Sequence, residues 1–209
     1  AIYYFTPLYW LLLSNRFTKR ILFRGFGYKG SLDFTTYPDT WIRDLPILKL
    51  GIGVYLANKA TIGTNLCLAD GTIYVAPITI GDHSVVGHMC MIAPGLRMGR
   101  NSELGSGSAL GVRVTIGDRV NVGPCAGINH YAKIANGVKI GAQSYIGIRA
   151  QINVEGMTIP AFSNIPANSV INAEDDLQEI LRSNGYRAEV RSTNKLITSD
   201  DMNVFTMMN

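Results

Sequence analysis

Residues 78–99 read ITIGDHSVVGHMCMIAPGLRMG, and within them an aliphatic residue returns at every sixth place: Ile80, Val86, Ile92 and Met98. Carried outward, the frame picks up Leu50, Leu56, Ile62, Leu68 and Tyr74 before it. After it come Leu104, Leu110, Ile116, Val122, Ile128, Ile134, Ile140, Ile146 and Ile152. Eighteen consecutive hexads hold step, and the next residue is Gly or Ala in fifteen of them, the exceptions being Val75, Asn129 and Asn153. The fifth position is small or aliphatic throughout, from Val54 and Ala60 to Gly156. Helices repeat every 3.6 residues and strands every two, so neither period explains the pattern. A fixed longer period marks a repeat architecture.

A six-residue unit supplies one short strand and one turn, and three units close a triangular coil of about 18 residues. Position one then points inward as the large core residue. Position five is the small inward residue near the corner, and positions three, four and six face out. The expected fold is all-β, a left-handed parallel β-helix of about seven coils. The Gly, Ala and Asn at position two are expected to ease left-handed backbone there. Six coils run from Leu50 to Met157; one extra residue then shifts the frame, and Ile159, Ile165 and Ile171 make a seventh. "AEDDLQEILRSNG", residues 173–185, has acids at its start and glycine at its end, which predicts a short helix closing the open end. The organisation expected is an apolar and basic lead-in over 1–49, the β-helix over 50–172, and a helix with a polar tail over 173–209.

Composition narrows the function. The net charge of +4 is unevenly spread: residues 1–30 hold Arg16, Lys19, Arg20, Arg24 and Lys29 and no acid. No Lys/Arg run interleaved with aromatics appears, which argues against nucleic-acid binding. Cys67, Cys90 and Cys125 have no CxxC spacing, and the odd count gives no disulfide framework, so a reducing cytoplasm is the simpler setting. "AIYYFTPLYWLLL" at the start is too short for a spanning helix, which needs about 20 residues. It packs on the main domain or a neighbouring subunit, or else residues 1–24 lie at a membrane interface with their aromatics above a basic flank.

"ITIGDHSVVGHMCMIAPGLRMG", "VTIGDRVNVG" and "INHYAKIANGVKIGAQSYIG" resemble the hexapeptide-repeat acyltransferases over residues 50–172. The resemblance implies a cytoplasmic, trimeric enzyme that moves an acetyl or longer acyl group from coenzyme A or a carrier protein to a small acceptor, a sugar foremost. It also implies a histidine general base two places after the aliphatic residue, a place held here by His88 in "VGHMCM" and His130 in "INHYAK". Where relatives put an acidic neighbour, this chain has Met89 and Tyr131. The opening "TPLYWLLLSNRFTKRILFRG" is similar to the terminal region of some nonribosomal-peptide-synthetase-like proteins, which implies a carrier-bound thioester as donor.

In an unbroken frame, residues 18 apart stack on successive coils, about 4.8 Å apart. That places Asp70 over His88 and Ser106 beneath it, whereas His130 stacks between Val112 and Ile148. A catalytic base needs one ring nitrogen free and the other held by an acceptor, so the Asp70–His88 pair is the leading candidate and His130 the second. Arg113, Lys133 and Arg149 form a basic stripe suited to coenzyme A phosphates. The uncharged face around His88 suits burial in a threefold trimer, leaving the site in a groove between subunits. Cys90 should be core. Zinc chemistry of the γ-carbonic-anhydrase kind, which shares this fold, fits poorly, because His83, His88 and His130 do not converge; no metal is expected. A non-catalytic scaffold is the main alternative, supported by the absence of any long inserted loop from the frame.

Overall fold

The structure is a computed structural model, and it describes residues 6–184; residues 1–5 and the polar tail from 185 to 209 lie outside them. The described residues form three seven-stranded parallel sheets that wrap into a β-solenoid, with short helices at both ends. The first sheet runs through Phe34–Thr36, Val54–Leu56, Val85–Val86, Glu103–Leu104, Asn121–Val122, Lys139–Ile140 and Thr158–Ile159. The second takes Trp41–Ile42, Thr61–Ile62, Met91–Ile92, Ala109–Leu110, Gly127–Ile128, Tyr145–Ile146 and Asn164–Ile165. The third takes Leu48–Leu50, Ile78–Ile80, Arg97–Met98, Thr115–Ile116, Lys133–Ile134, Gln151–Ile152 and Val170–Ile171. Parallel pairing therefore begins at Phe34, ahead of the first hexad at Leu50.

Position-one residues line the interior: Ile80, Val86, Leu104, Ile128, Ile146 and Ile159 are all at most 1% exposed. Position five is small because each corner is narrow, and its polar members are satisfied by the next coil. Ser84 Oγ donates to the Gly99 carbonyl at 2.8 Å, Ser102 Oγ to Gly117 at 2.8 Å and Ser108 Oγ to Gly123 at 3.1 Å. A buried hydroxyl is tolerated only with such a partner. Cys90 occupies the same kind of place, with its thiol 3.1 Å from the Gly105 carbonyl and its pKa pushed up by burial. It is core, as expected.

Two expectations fail, and both failures concern corners. Left-handed backbone sits at position four, not position two: Met89, Arg113, Cys125, Tyr131, Gln143 and Arg149 have φ between 54° and 61°. The position-two glycines answer to space instead. A Cβ on Gly81 would lie 2.6 Å from the Gly99 carbonyl carbon of the next coil.

The second failure is larger. Leu50 pairs with Ile80, Leu56 with Val86 and Ile62 with Ile92, a step of 30 residues where later coils step by 18. The difference is an antiparallel hairpin, Asn65–Cys67 against Ile73–Val75, that leaves the solenoid and returns. Leu68 and Tyr74, read as core, are 44% exposed and half-buried respectively. The one-residue shift near the other end is present, with Ile140 pairing Ile159.

Helix α1 (Thr6–Ser14) and helix α2 (Arg16–Gly25) pack at one end through Tyr9, Leu22 and Phe23, and Phe23 meets Tyr28 and Phe34 edge-on. Tyr28 Oη accepts from Leu50 N at 3.2 Å and donates to the Ser31 carbonyl, tying this cap to the coils. Helix α3 (Glu174–Ser183) closes the other end through Leu177 and Leu181. Asp176 accepts the backbone N–H groups of Asn172 and Ala173 at its start. No helix among the described residues is long and apolar enough to cross a membrane.

Candidate functional site

The hairpin decides which sequence-predicted residues can meet. Asp70 sits at its tip, its Oδ1 accepting Thr72 N at 2.9 Å, a bond that lowers its pKa below the usual carboxylate range. Gly71 beside it has φ +84°, the left-handed geometry an Asp-Gly turn requires. Asp70 therefore does not stack on His88. Met89 N donates to the Asn58 carbonyl, and Gly107 N to that of His88, which places Asn58 over His88 and keeps Ser106 beneath it. The expected pairing is overturned because the frame counted the hairpin as two coiled hexads. Lys59, not Asp70, joins the His88 corner, so that face is not free of other charge. His88 itself is exposed, and its ring makes no hydrogen bond among the described residues.

His130 is placed as its register predicts. Its neighbours along the stack are Val112 and Ile148, with Tyr131 N on the Val112 carbonyl and Arg149 N on that of His130. The ring also turns back: Nδ1 accepts the Val112 N–H at 2.8 Å. Three other corner side chains at position three do the same. Asp82 accepts Ile52 N at 2.8 Å, Asp118 accepts Arg100 N at 2.8 Å, and Asn136 accepts Asp118 N at 2.9 Å. With Nδ1 an acceptor, the neutral imidazole carries its proton on Nε2, where it faces outward as a donor.

A groove of about 580 Å³ opens beside this ring, within the 300–1,000 Å³ common for small-molecule sites. Its floor is the outward column of the second sheet, where Ala109 and Gly127 make a hollow between Met91 and Tyr145. Asn129, which donates to Tyr145 Oη at 2.6 Å, stands next to His130 on one edge. On the other side stand Arg43, Asn65 and Leu66 at the root of the hairpin. Asp44 fastens that root, accepting from Thr64 Oγ1 at 2.7 Å and from Asn65 Nδ2, while Arg43 donates to Asn65 Oδ1 at 2.8 Å. His88 does not line the groove.

The expected basic residues stand around the adjoining corner. Arg113, Tyr131 and Arg149 stack in one column, each at the same corner position of successive coils. Tyr74 reaches from the hairpin to accept from Arg113 Nε, with the guanidinium 5.7 Å from its ring centre, and Arg149 lies 5.7 Å over Tyr131. Lys133 is exposed on the third sheet, in the strand column of Arg97 and Thr115. Sequence reasoning missed Tyr74, Tyr145, Asn129 and Arg43. The Asp-Gly turn and the misfit of Val75 at a small position could have signalled the hairpin that brings Tyr74 in. No group of three or more metal-ligating side chains converges among the described residues.

No protein-family model and no curated protein matches the chain. Solved structures do. PerB from Caulobacter crescentus, solved with CoA and GDP-perosamine, matches at 21% identity over 69% of this chain and 60% of its own, with a TM-score of 0.37. A histidine-to-asparagine mutant of perosamine N-acetyltransferase from the same organism, also with CoA and GDP-perosamine, matches at 22% identity over 73% of this chain and 61% of its own, with a TM-score of 0.31. The chain thus spans about three fifths of the perosamine enzymes it is similar to.

Proposed function

We propose that the protein is an acyltransferase that moves an acetyl or longer acyl group from a coenzyme A or carrier-bound thioester to an amine or hydroxyl of a small acceptor, a sugar first among them. The observation that carries this reading is His130 at the lip of the groove, its ring fixed by Val112 and its Nε2–H outward. The hexapeptide resemblance supplies the reaction class, and the groove supplies a place for it. Arg113, Arg149 and Lys133 take the donor's phosphates, and the pantetheine arm lies along the Ala109–Gly127 hollow.

The acceptor adds to the thioester carbonyl, the C–S bond breaks, and the thiol leaves with a proton. His130 Nε2–H donates to the carbonyl oxygen as it gains negative charge, a role worth about 10²–10³ in kcat. The acceptor's proton goes to His88 of the partner subunit, whose ring makes no hydrogen bond among the described residues, and the imidazolium hands that proton to the leaving thiolate. A closed trimer that sets the His88 corner of one copy against the groove of the next provides that contact. The hairpin, absent from the frame as read in the sequence, provides the wall such a site needs.

A scaffold is the second reading, favoured by one observation: the His130–Val112 bond is the same corner bond that Asp82, Asp118 and Asn136 make without any chemistry. Calorimetric titration with acetyl-CoA and desulfo-CoA separates the two. Saturable binding that weakens at least tenfold in Arg113→Ala/Arg149→Ala supports transfer. No binding of any thioester, with the protein folded, selects the scaffold.

A further inference from the structure

The two N-terminal helices bury one side each and leave the other to solvent. In α2 the inward side is Leu22 and Phe23 with half-buried Lys19; in α1 it is Tyr9 with Leu12 and Leu13. The opposite sides carry Trp10, Leu11, Phe17 and Ile21, which are 59%, 65%, 69% and 56% exposed. Such large apolar side chains are scattered singly on most surfaces, not gathered on two short helices.

Their neighbours are cations. Arg16 and Arg20 lie one turn apart on the exposed side of α2, next to Phe17 and Ile21, and Lys29 follows the helix. These three are exposed and make no hydrogen bond or ion pair among the described residues. The other two bases of the segment are already engaged. Lys19 Nζ donates to the Leu32 and Phe34 carbonyls, and Arg24 donates to those of Tyr28 and Gly30. No acid stands anywhere in residues 1–30. Helices of 9 and 10 residues cannot span a bilayer, but helices that present aromatics beside free cations fit its surface.

From this juxtaposition we propose that α1 and α2 dock on an anionic phospholipid surface, with Trp10, Leu11, Phe17 and Ile21 entering the headgroup layer and Arg16, Arg20 and Lys29 on the lipid phosphates. The charge selects the occupant. A protein partner would have to bring its own carboxylates to three exposed cations set beside large apolar side chains, whereas an anionic bilayer offers phosphates and an apolar layer within a few ångströms of each other. The inference does not depend on the acyl-transfer reading.

Trp10 and Trp41 are the two tryptophans, so the 209-residue chain carrying Trp41→Phe reports on α1 alone. It is titrated with vesicles of phosphatidylcholine, pure or with 30% phosphatidylglycerol, some carrying brominated acyl chains. Expected are a blue shift and bromine quenching of Trp10 on the anionic vesicles, and partitioning at least tenfold weaker on neutral vesicles or in 0.5 M NaCl. Arg16→Gln/Arg20→Gln should weaken partitioning about 25-fold, each surface cation being worth about fivefold. Phe17→Ser should remove binding while circular dichroism and thermal unfolding show an intact fold. Equal partitioning on neutral and anionic vesicles overturns the proposal, as does no binding to either. So does self-association that Phe17→Ser abolishes, because the face would then belong to a second copy.

Discussion

Nδ1 of His130 accepts the backbone N–H of Val112 at 2.8 Å from the adjacent coil of the solenoid. That bond fixes what the ring can do outward and links the stability of the corner to the chemistry proposed for it. Substitution can separate the two. Asparagine keeps a side-chain acceptor, as Asn136 shows one corner away, whereas alanine leaves the Val112 N–H without its partner. His130→Asn should unfold within a degree or two of wild type, and His130→Ala should lose about 1 kcal/mol. Both should lose at least a hundredfold in acyl transfer. Full activity in His130→Asn would reduce the histidine to a corner bond.

The hairpin makes a second prediction. Tyr74 holds Arg113 from outside the solenoid, so Tyr74→Phe should raise KM for the thioester about fivefold with kcat nearly unchanged, the effect of one lost hydrogen bond. Asp70→Asn, by contrast, should leave the rate alone, since asparagine also serves a turn and Asp70 has no contact with His88. A large fall in rate would return Asp70 to the site. Steady-state kinetics on the two variants decide both.

Why the hairpin escaped notice is instructive in physical terms. Its insertion is two hexads long, so the six-residue frame closes over it, and Leu68 and Tyr74 fall at core positions by phase alone. Downstream of Ile80 the frame sees every neighbour correctly, including Val112 and Ile148 around His130. Upstream of it, the 30-residue step moves each partner, and the Asp70–His88 pair is lost with them. Two local signals stood against the period: Asp70-Gly71 between Asn65–Cys67 and Ile73–Val75, and Val75 where the frame wanted a small residue. The groove was illegible for a different reason. It depends on Arg43 and Tyr145 standing at opposite ends of the second sheet's outward face, and no periodicity predicts which outward side chains leave a hollow.

The corners predict opposite outcomes for two conservative changes. Gly81→Ala puts a Cβ 2.6 Å from the Gly99 carbonyl carbon and 2.7 Å from Arg100 N, both backbone atoms held by the next coil. Overpacking of that kind costs about 1–3 kcal/mol. Gln143→Gly relieves a left-handed residue with φ 54° whose side chain is exposed, and it should gain about 0.5 kcal/mol. Chemical denaturation of the two variants tests whether position two or position four carries the backbone demand. A loss in Gln143→Gly would mean the turn is held by its side chain.

The last prediction concerns the N-terminal cap. Lys19 is half-buried under Phe34, its Nζ 3.6 Å from the ring centre, and desolvation brings its pKa down to about 8 from 10.5. Between those values the unfolded chain holds a proton that the folded protein has released. Stability on this account rises with pH across the window, since its slope follows the protons bound by the unfolded state minus those bound by the folded one. Other groups oppose it, Cys90 and Tyr28 among them. Burial raises the Cys90 thiol above its ordinary 9.0, and burial raises Tyr28 to about 12, so both favour the folded state less as pH climbs through their ordinary values. Both are common to wild type and Lys19→Met, and their effects cancel in the difference between the two proteins. Wild type should therefore gain stability relative to Lys19→Met from pH 7.5 to pH 9.5 in parallel thermal melts. A constant difference would mean that Lys19 keeps its charge at the cap, with its bonds to the Leu32 and Phe34 carbonyls offsetting the loss of water.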